Sequence, residues 1–240
     1  LKGVITTKKA LYDSLIPKNG VVFYNNDDKL LGSLLNDLTI NIPYGQKNGS
    51  ITGELVSLNP FINMKWRNVI YESDVLSTKM IGKYNFYNFL AAICIGNHFE
   101  ISSEQISNSI IGYAPQNKRS QIVKTDKNLL IVDCYNANPT SMQLALESFN
   151  EFEHSNKLVI LGDMLELGSE SLEEHEKTIN YCKKEKLKHI TVGPIFKSLK
   201  PECAFEDVMQ LKKELESVNK CAVLLKGSRG IQLEKLIEFL

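Results

Sequence analysis

Apolar and polar positions alternate with two different textures along this chain, and the change falls near residue 114. In the first part, "KKALYDSLIPKNG" has helical spacing, and Pro17, Asn19 and Gly20 supply its stop. "VVFYNNDD" reads as a strand running into turn formers. From about residue 38 to 80, short β-like runs ("LTINI", "SITGELVSL", "NVIYESDVL") are separated by Gly and Asn, which predicts an antiparallel β-patch. "NFYNFLAAICIGNHF" is apolar on most sides, as a buried helix is. "SEQISNSIIGY" predicts another helix, capped by Ser102 or Ser103.

"APQNKRSQ" (114–121) breaks the pattern and reads as a hinge. A βαβ rhythm follows. Strands are expected at 121–125, 128–134, 157–162, 189–193 and 221–226, and helices at 140–153, 170–185, 207–218 and 230–239. Met142, Ala145, Leu146, Phe149 and Phe152 set the helical period of the first of these helices. The fold class is therefore α/β, with a mostly parallel sheet covered by helices on both faces. Ligands of such sheets gather at the C-terminal ends of the strands. "DCYNANP", "GDMLELG" and "KGSRG" all fall there.

Composition narrows the function. Lys+Arg and Asp+Glu both number 28, so no net basic field favours nucleic acid or a membrane surface. Apolar runs such as "CAVLL" are far shorter than the roughly 20 residues of a membrane helix, and no signal-peptide pattern opens the chain. Cys94, Cys134, Cys182, Cys203 and Cys221 are odd in number and form no CxxC pair, which suggests reduced thiols in a cytoplasmic protein. His98, His154, His175 and His189 show no metal spacing. The first residue is Leu1, which is expected of a fragment of a longer protein.

Each motif has a plain and a chemical reading. "GDMLELG" offers Asp163 and Glu166 as carboxylates, or an ordinary strand-to-helix loop with an N-terminal acid. "KGSRG" places Lys226, Ser228 and Arg229 before an expected helix, where backbone N–H groups and the dipole suit an anion; it can equally be a solvated turn. "NKRSQ" places Lys118 and Arg119 at the hinge, where Arg can grip phosphate or simply face solvent. Asn85 and Asn88 are one helical turn apart and together offer donors and acceptors for a purine edge, or cap the helix. Lys8 taken alone is a solvated lysine. No GxxxxGK[ST], GxGxxG, GxSxG or HExxH occurs.

"DCYNANPTSM", "LGDMLELGSESLEEH", "GKYNFYNFLAAICIG", "RSQ" and "LLKGSRG", in this order, resemble the Mur ligase family over essentially the whole chain. Within it, "YNANP" with "GDMLELG" and "KGSR" is similar to members that add D-alanyl-D-alanine (D-Ala-D-Ala) to UDP-N-acetylmuramoyl-tripeptide. The resemblance implies that residues 1–114 are the C-terminal part of a central ATPase domain and 115–240 a Rossmann-like C-terminal ligase domain. It implies ATP-dependent amide formation through an acyl phosphate in cytoplasmic peptidoglycan synthesis, with ATP and magnesium as cofactors. It places Asn85 and Asn88 at the adenine, Arg119 at the nucleotide and Asp133 at the ribose hydroxyls. Tyr135, Asn136 and Asn138 would face the active-site cleft, and Lys226, Ser228 and Arg229 the incoming dipeptide.

Lys8 would be the catalytic carbamylated lysine, a metal ligand only when modified; in these 240 residues alone it is expected unmodified. Tyr84 stands where most relatives have His, and Cys134 where Ser is common. These 240 residues alone are expected to be inactive, since the family's phosphate-binding loop is not among them. The alternatives are a non-catalytic binding module of the same fold and another Mur- or folate-type ligase.

Overall fold

The computed structural model describes residues 2–35, 39–58 and 61–240. The chain divides into two compact units, one of residues 1–79 and 83–113, the other of 80–82 and 114–240. Among the described residues no helix is long and apolar enough to cross a membrane.

In the N-terminal unit, α1 (Lys2–Leu15) ends in a 3₁₀ turn at Ile16–Lys18. Asn19 takes a left-handed conformation there, and the Gly20 N–H closes onto the Leu15 carbonyl at 2.9 Å. Then come β1 (Val21–Asn25), α2 (Lys29–Ser33) capped by Asp28, β2 (Ile40–Gly45), β3 (Ile51–Ser57), β4 (Asn63–Arg67) and β5 (Leu76–Ser77), followed by α3 (Tyr84–His98) and α4 (Ser103–Gly112). The strands form one sheet in the order β1-β2-β3-β4-β5. Only β3–β4 and β4–β5 are antiparallel; β1–β2 and β2–β3 are parallel, so the expected all-antiparallel patch is corrected. Residue 38, where the expected run 38–42 begins, lies outside the described residues. "NVIYESDVL" is mostly not a strand: its first part is a turn in which Asn68 Oδ1 accepts the Ile70 and Tyr71 N–H groups, β4 lies just before it, and only its last residue, Leu76, enters β5. An Asn that bonds its own turn defeats the β propensity of Val69 and Ile70.

α3 is apolar because it is buried: Phe86, Leu90 and Ile93 have no exposed surface. It lies against β3 at Gly53, where an added Cβ would come within 2.4 Å of the Leu90 side chain. Trp66 of β4 is also buried, and its indole N–H donates to Ser107 Oγ of α4 at 3.1 Å. Ser102, one of the two candidates, caps α4.

The C-terminal unit runs β6 (Gln121–Lys124), β7 (Leu129–Asp133), α5 (Pro139–Glu151), β8 (Lys157–Gly162), α6 (Ser171–Lys184), β9 (His189–Val192), α7 (Pro194–Ser198), β10 (Ala204–Phe205), α8 (Val208–Lys212) and β11 (Ala222–Lys226). The sheet order is β10-β9-β8-β11-β7-β6, parallel except for the β6–β7 pair. β11 is the central strand, and Ala222 through Leu225 are almost completely buried, as both faces of a parallel sheet require. The helix expected over 207–218 is α8 plus a 3₁₀ turn at Leu215–Ser217. That expected over 230–239 is 3₁₀ throughout, at Arg229–Ile231 and Leu233–Phe239. Leu233, Leu236 and Leu240 still reach the core, so helical spacing held while the winding tightened.

Candidate functional site

β7 and β11 are neighbours in parallel register, with Val132 opposite Leu225 and Asp133 opposite Lys226. Two apolar runs therefore end side by side in an acid and a base. Lys226 Nζ lies 2.8 Å from Asp133 Oδ2, with side-chain exposures of 3% and 13%. The ammonium also donates to the Asn136 carbonyl at 2.9 Å, and Asp133 Oδ1 accepts the Ser120 N–H at 3.2 Å. A buried pair costs desolvation unless further hydrogen bonds satisfy both charges, and this one has them on each side. Its effect is to bind three segments together: the strand end at 133–136, the end of β11 and the hinge at 118–120.

The hinge has a defined shape. Lys118 and Ser120 both have positive φ, 58° and 48°, on either side of Arg119. Two non-glycine residues in that region are strained and must be held. The Lys118 N–H donates to Gln121 Oε1, its ammonium pairs with Glu234 at 2.8 Å, and Ser120 is fixed by Asp133. Arg119 is thereby presented outward, with its guanidinium carbon 4.1 Å from the centre of the exposed Tyr135 ring. Arg229 approaches the same ring at 5.7 Å. Cys134, between the acid and the tyrosine, is buried, and burial pushes its thiol up to about 12. It lies 3.9 Å from Glu234 and stays a thiol.

The remaining strand-end residues serve the loops. Asn138 is the N-cap of α5: its side chain accepts the Ser141 N–H at 2.8 Å while Ser141 Oγ accepts the Asn138 N–H at 3.1 Å, and Pro139 opens the helix. Ser228 is buried; its N–H donates to the Asp163 carbonyl and its Oγ accepts the Leu165 N–H at 3.0 Å. "KGSRG" precedes a 3₁₀ turn rather than an α-helix, so no α-helix dipole supports an anion there. Asp163 of "GDMLELG" is fully buried and accepts the Ile195 and Phe196 N–H groups at 2.8 and 2.9 Å, which makes it the plain reading of that motif, a structural acid. Burial raises its carboxyl above the usual range, and the two N–H donors only partly offset this. His175 Nε2 accepts the Met164 N–H, so its proton sits on Nδ1 and donates to the Ser171 carbonyl.

In the C-terminal unit, then, Arg119, Asp133, Tyr135, Asn136, Lys226 and Arg229 are linked by contact. Asn138 and Ser228 stand next to them in the chain and hold the backbone. Sequence reasoning missed Ser120 and the Lys118–Glu234 tie; Lys118 was visible only as a charge beside Arg119. The other candidates lie in the N-terminal unit. Asn85 is buried at the start of α3 and exposed Asn88 donates to its Oδ1 at 3.0 Å, so the two amides do share a face. Lys8 is exposed on α1, beside the Lys9–Asp13 pair.

The cations fit a phosphate-bearing ligand, and Asp133 retains acceptor capacity beyond its two bonds. Magnesium fits less well: among the described residues no three His, Cys, Asp or Glu side chains converge, and Lys8 has no carboxylate bonded to it.

Residues 118–229 match the family described as "Mur ligase, glutamate ligase domain". The chain is 26% identical over 253 aligned positions to the UDP-N-acetylmuramoyl-tripeptide–D-alanyl-D-alanine ligase of Bacillus subtilis, covering 99% of this chain and 54% of that protein. It is similar in structure to MurF from Acinetobacter baumannii, with a TM-score of 0.84 and 22% identity over 99% of this chain and 55% of the other. A MurF ligase from Thermotoga maritima in complex with ADP gives a TM-score of 0.75 and 17% identity, covering 91% and 52%. At such identities the two structures show the fold alone. The chain spans about half the length of the curated relatives it matches.

Proposed function

We propose that the protein this chain represents is a member of the Mur ligase family and an ATP-dependent carboxylate–amine ligase, a reading supported by the family match over residues 118–229. It adds D-Ala-D-Ala to UDP-N-acetylmuramoyl-tripeptide in cytoplasmic peptidoglycan synthesis. The observation that carries this reading is the Lys226–Asp133 pair, which joins "DCYNANP", "KGSRG" and the hinge into one strand-end site. The similarity to the ligase of B. subtilis, over 99% of this chain and 54% of that protein, supports this choice of substrates.

In this reading residues 1–114 are part of a central ATPase domain and 115–240 the C-terminal ligase domain. Asp133, fixed in orientation by Lys226 and Ser120, accepts from the ribose hydroxyls. Arg119 contacts the nucleotide phosphates and lowers the cost of gathering negative charge. Arg229, Asn136 and Asn138 border the place of the dipeptide, and Asn85 and Asn88 offer amide groups to the adenine. ATP supplies the phosphoryl group that activates the tripeptide carboxylate. Lys8 is expected to serve the ATPase domain when carbamylated.

The test is product formation by the full-length protein from ATP, the UDP-linked tripeptide and D-Ala-D-Ala, followed by mass spectrometry. Product requiring all three is expected. Asp133→Ala should weaken ATP binding roughly 10- to 100-fold, as expected for a hydrogen bond to a charged group of about 1.5–3 kcal/mol. Lys8→Ala should abolish most turnover, with partial rescue by a short carboxylate. Product with a single amino acid but none with the dipeptide would overturn the substrate assignment, and ATP affinity unchanged in Asp133→Ala would remove that residue's role.

A further inference from the structure

Arg119, Tyr135 and Arg229 share a feature that their separate roles do not explain. Each stands on backbone pinned by its neighbours, while its side chain is left uncommitted. Arg119 is held between the ties of Lys118 and Ser120. Tyr135 lies between Asp133, paired with Lys226, and Asn136, whose carbonyl accepts from the same lysine. Arg229 follows Ser228, whose N–H and Oγ are both bonded, and its own carbonyl accepts the Gln232 N–H at 3.1 Å. Among the described residues neither guanidinium is ion-paired; Glu234, the acid whose charge Arg229 feels, is bonded to Lys118. Both instead lie against the Tyr135 ring, at 4.1 and 5.7 Å from its centre. Two like charges near one site repel unless something attracts both, and the electron-rich face of an aromatic ring does so without neutralising either.

We propose that Tyr135 is a positioning residue whose ring holds Arg119 and Arg229 as one anion-binding unit for a ligand bearing adjacent phosphoryl groups. The inference deepens the ligase reading and rests on it for the identity of that ligand, a nucleoside polyphosphate. The anchored backbones remove much of the ordering cost that two long side chains would otherwise impose on binding. The hinge arginine and the arginine after β11 then respond together, so a ligand seated on one orients the other.

The experiment uses this chain, with pyrophosphate and ADP as probes in titration calorimetry, and compares wild type with Tyr135→Phe and Tyr135→Leu. Tyr135 is exposed, so all three should melt alike, and Tyr135→Phe keeps the ring while removing the hydroxyl. Tyr135→Phe should bind pyrophosphate as wild type does. Tyr135→Leu should bind it more weakly by about two- to fivefold for each cation released, the range of an exposed cation–π contact. The NMR signals of the Arg119 side chain should show the shielding of a ring nearby in wild type and Tyr135→Phe, and lose it in Tyr135→Leu. Losses from Arg119→Gln and Arg229→Gln should be non-additive with the ring present and additive in the Tyr135→Leu background. Pyrophosphate binding without ADP binding would support the paired arginines and count against the nucleotide reading. Unchanged affinity in Tyr135→Leu, equal losses in Tyr135→Phe and Tyr135→Leu, or no binding of either probe to wild type would overturn the proposal.

Discussion

The candidate residues of the two units are held in different ways. At the strand ends of the C-terminal unit, an acid, a base and two arginine-bearing loops are tied to one another by charged hydrogen bonds at 2.8–3.2 Å, and the pair at the centre is buried. In the N-terminal unit, Lys8 stands exposed on a helix with no fully buried residue among those whose burial is described, and Asn88 is bonded chiefly to its neighbour Asn85. The first arrangement is built by the sheet: parallel register delivers Asp133 and Lys226 to the same level, and the loops have only to follow. The second arrangement is built by single helices, which place residues on a face: Asn85 and Asn88 by their spacing on α3, Lys8 on the exposed side of α1. A preorganised site therefore couples its function to the stability of its unit, while the exposed helix-borne candidates Lys8 and Asn88 can be changed with little structural consequence.

The sharpest way to break this contrast is Lys226→Met. Leaving Asp133 buried without its cation should destabilise the C-terminal unit by about 3–5 kcal/mol, read as a lower denaturant midpoint at unchanged slope. A loss below about 1 kcal/mol would mean that the pair is far more hydrated than its 3% and 13% exposures indicate.

Asn138→Ala should cost about 1 kcal/mol, the value of a helix N-cap. Asn138→Asp, which keeps an acceptor for the Ser141 N–H, should restore most of it. Failure of the aspartate to rescue would show that Asn138 stabilises through something other than the cap.

A third test uses pH. Burial raises the Asp163 carboxyl, so the folded state holds that proton more tightly than the unfolded state. The group's contribution is then fully present below the ordinary carboxylate value, is lost as pH rises through the raised folded value, and is constant above it. Wild type should show this downward component as pH rises above the ordinary carboxylate value of about 4, and Asp163→Asn should lack it. Identical pH dependence in the two proteins would locate the buried charge elsewhere.

The smallest effect belongs to the N-terminal unit. Lys8→Ala and Asn88→Ala should each change stability by less than about 0.5 kcal/mol, as exposed substitutions do. A larger loss on either would place a partner on that helix face and erase the difference between the units.

The α/β rhythm after residue 114 was legible because β7, β8, β9 and β11 are each short apolar runs bounded by Gly, Asp or Asn, and α5 carries its cap and its period openly. The location of the site was legible for the same reason: ligand-binding chemistry in a parallel sheet collects where those runs end. The plain reading of "GDMLELG" could not be separated from the catalytic one, since an acid that caps α7 across 32 residues looks the same in sequence as one that meets a ligand. Asn68 hid in the same way, as local hydrogen bonding overrode two β-branched residues.

By itself the sequence determined the elements, the class of fold and the set of polar residues at the strand ends, because hydrophobic period and turn chemistry are local properties. Tertiary structure alone decided which of those polar residues meet. Sheet order places β11 between β7 and β8, although residues 134–221 separate β7 from β11 in the chain, and register then sets Lys226 beside Asp133. The left-handed turns at Lys118 and Ser120 were equally invisible, because neither residue favours them; they exist where Glu234 and Asp133 hold them. Pairing across a sheet and strain at a hinge are both settled by partners far away in the chain, and no local pattern records them.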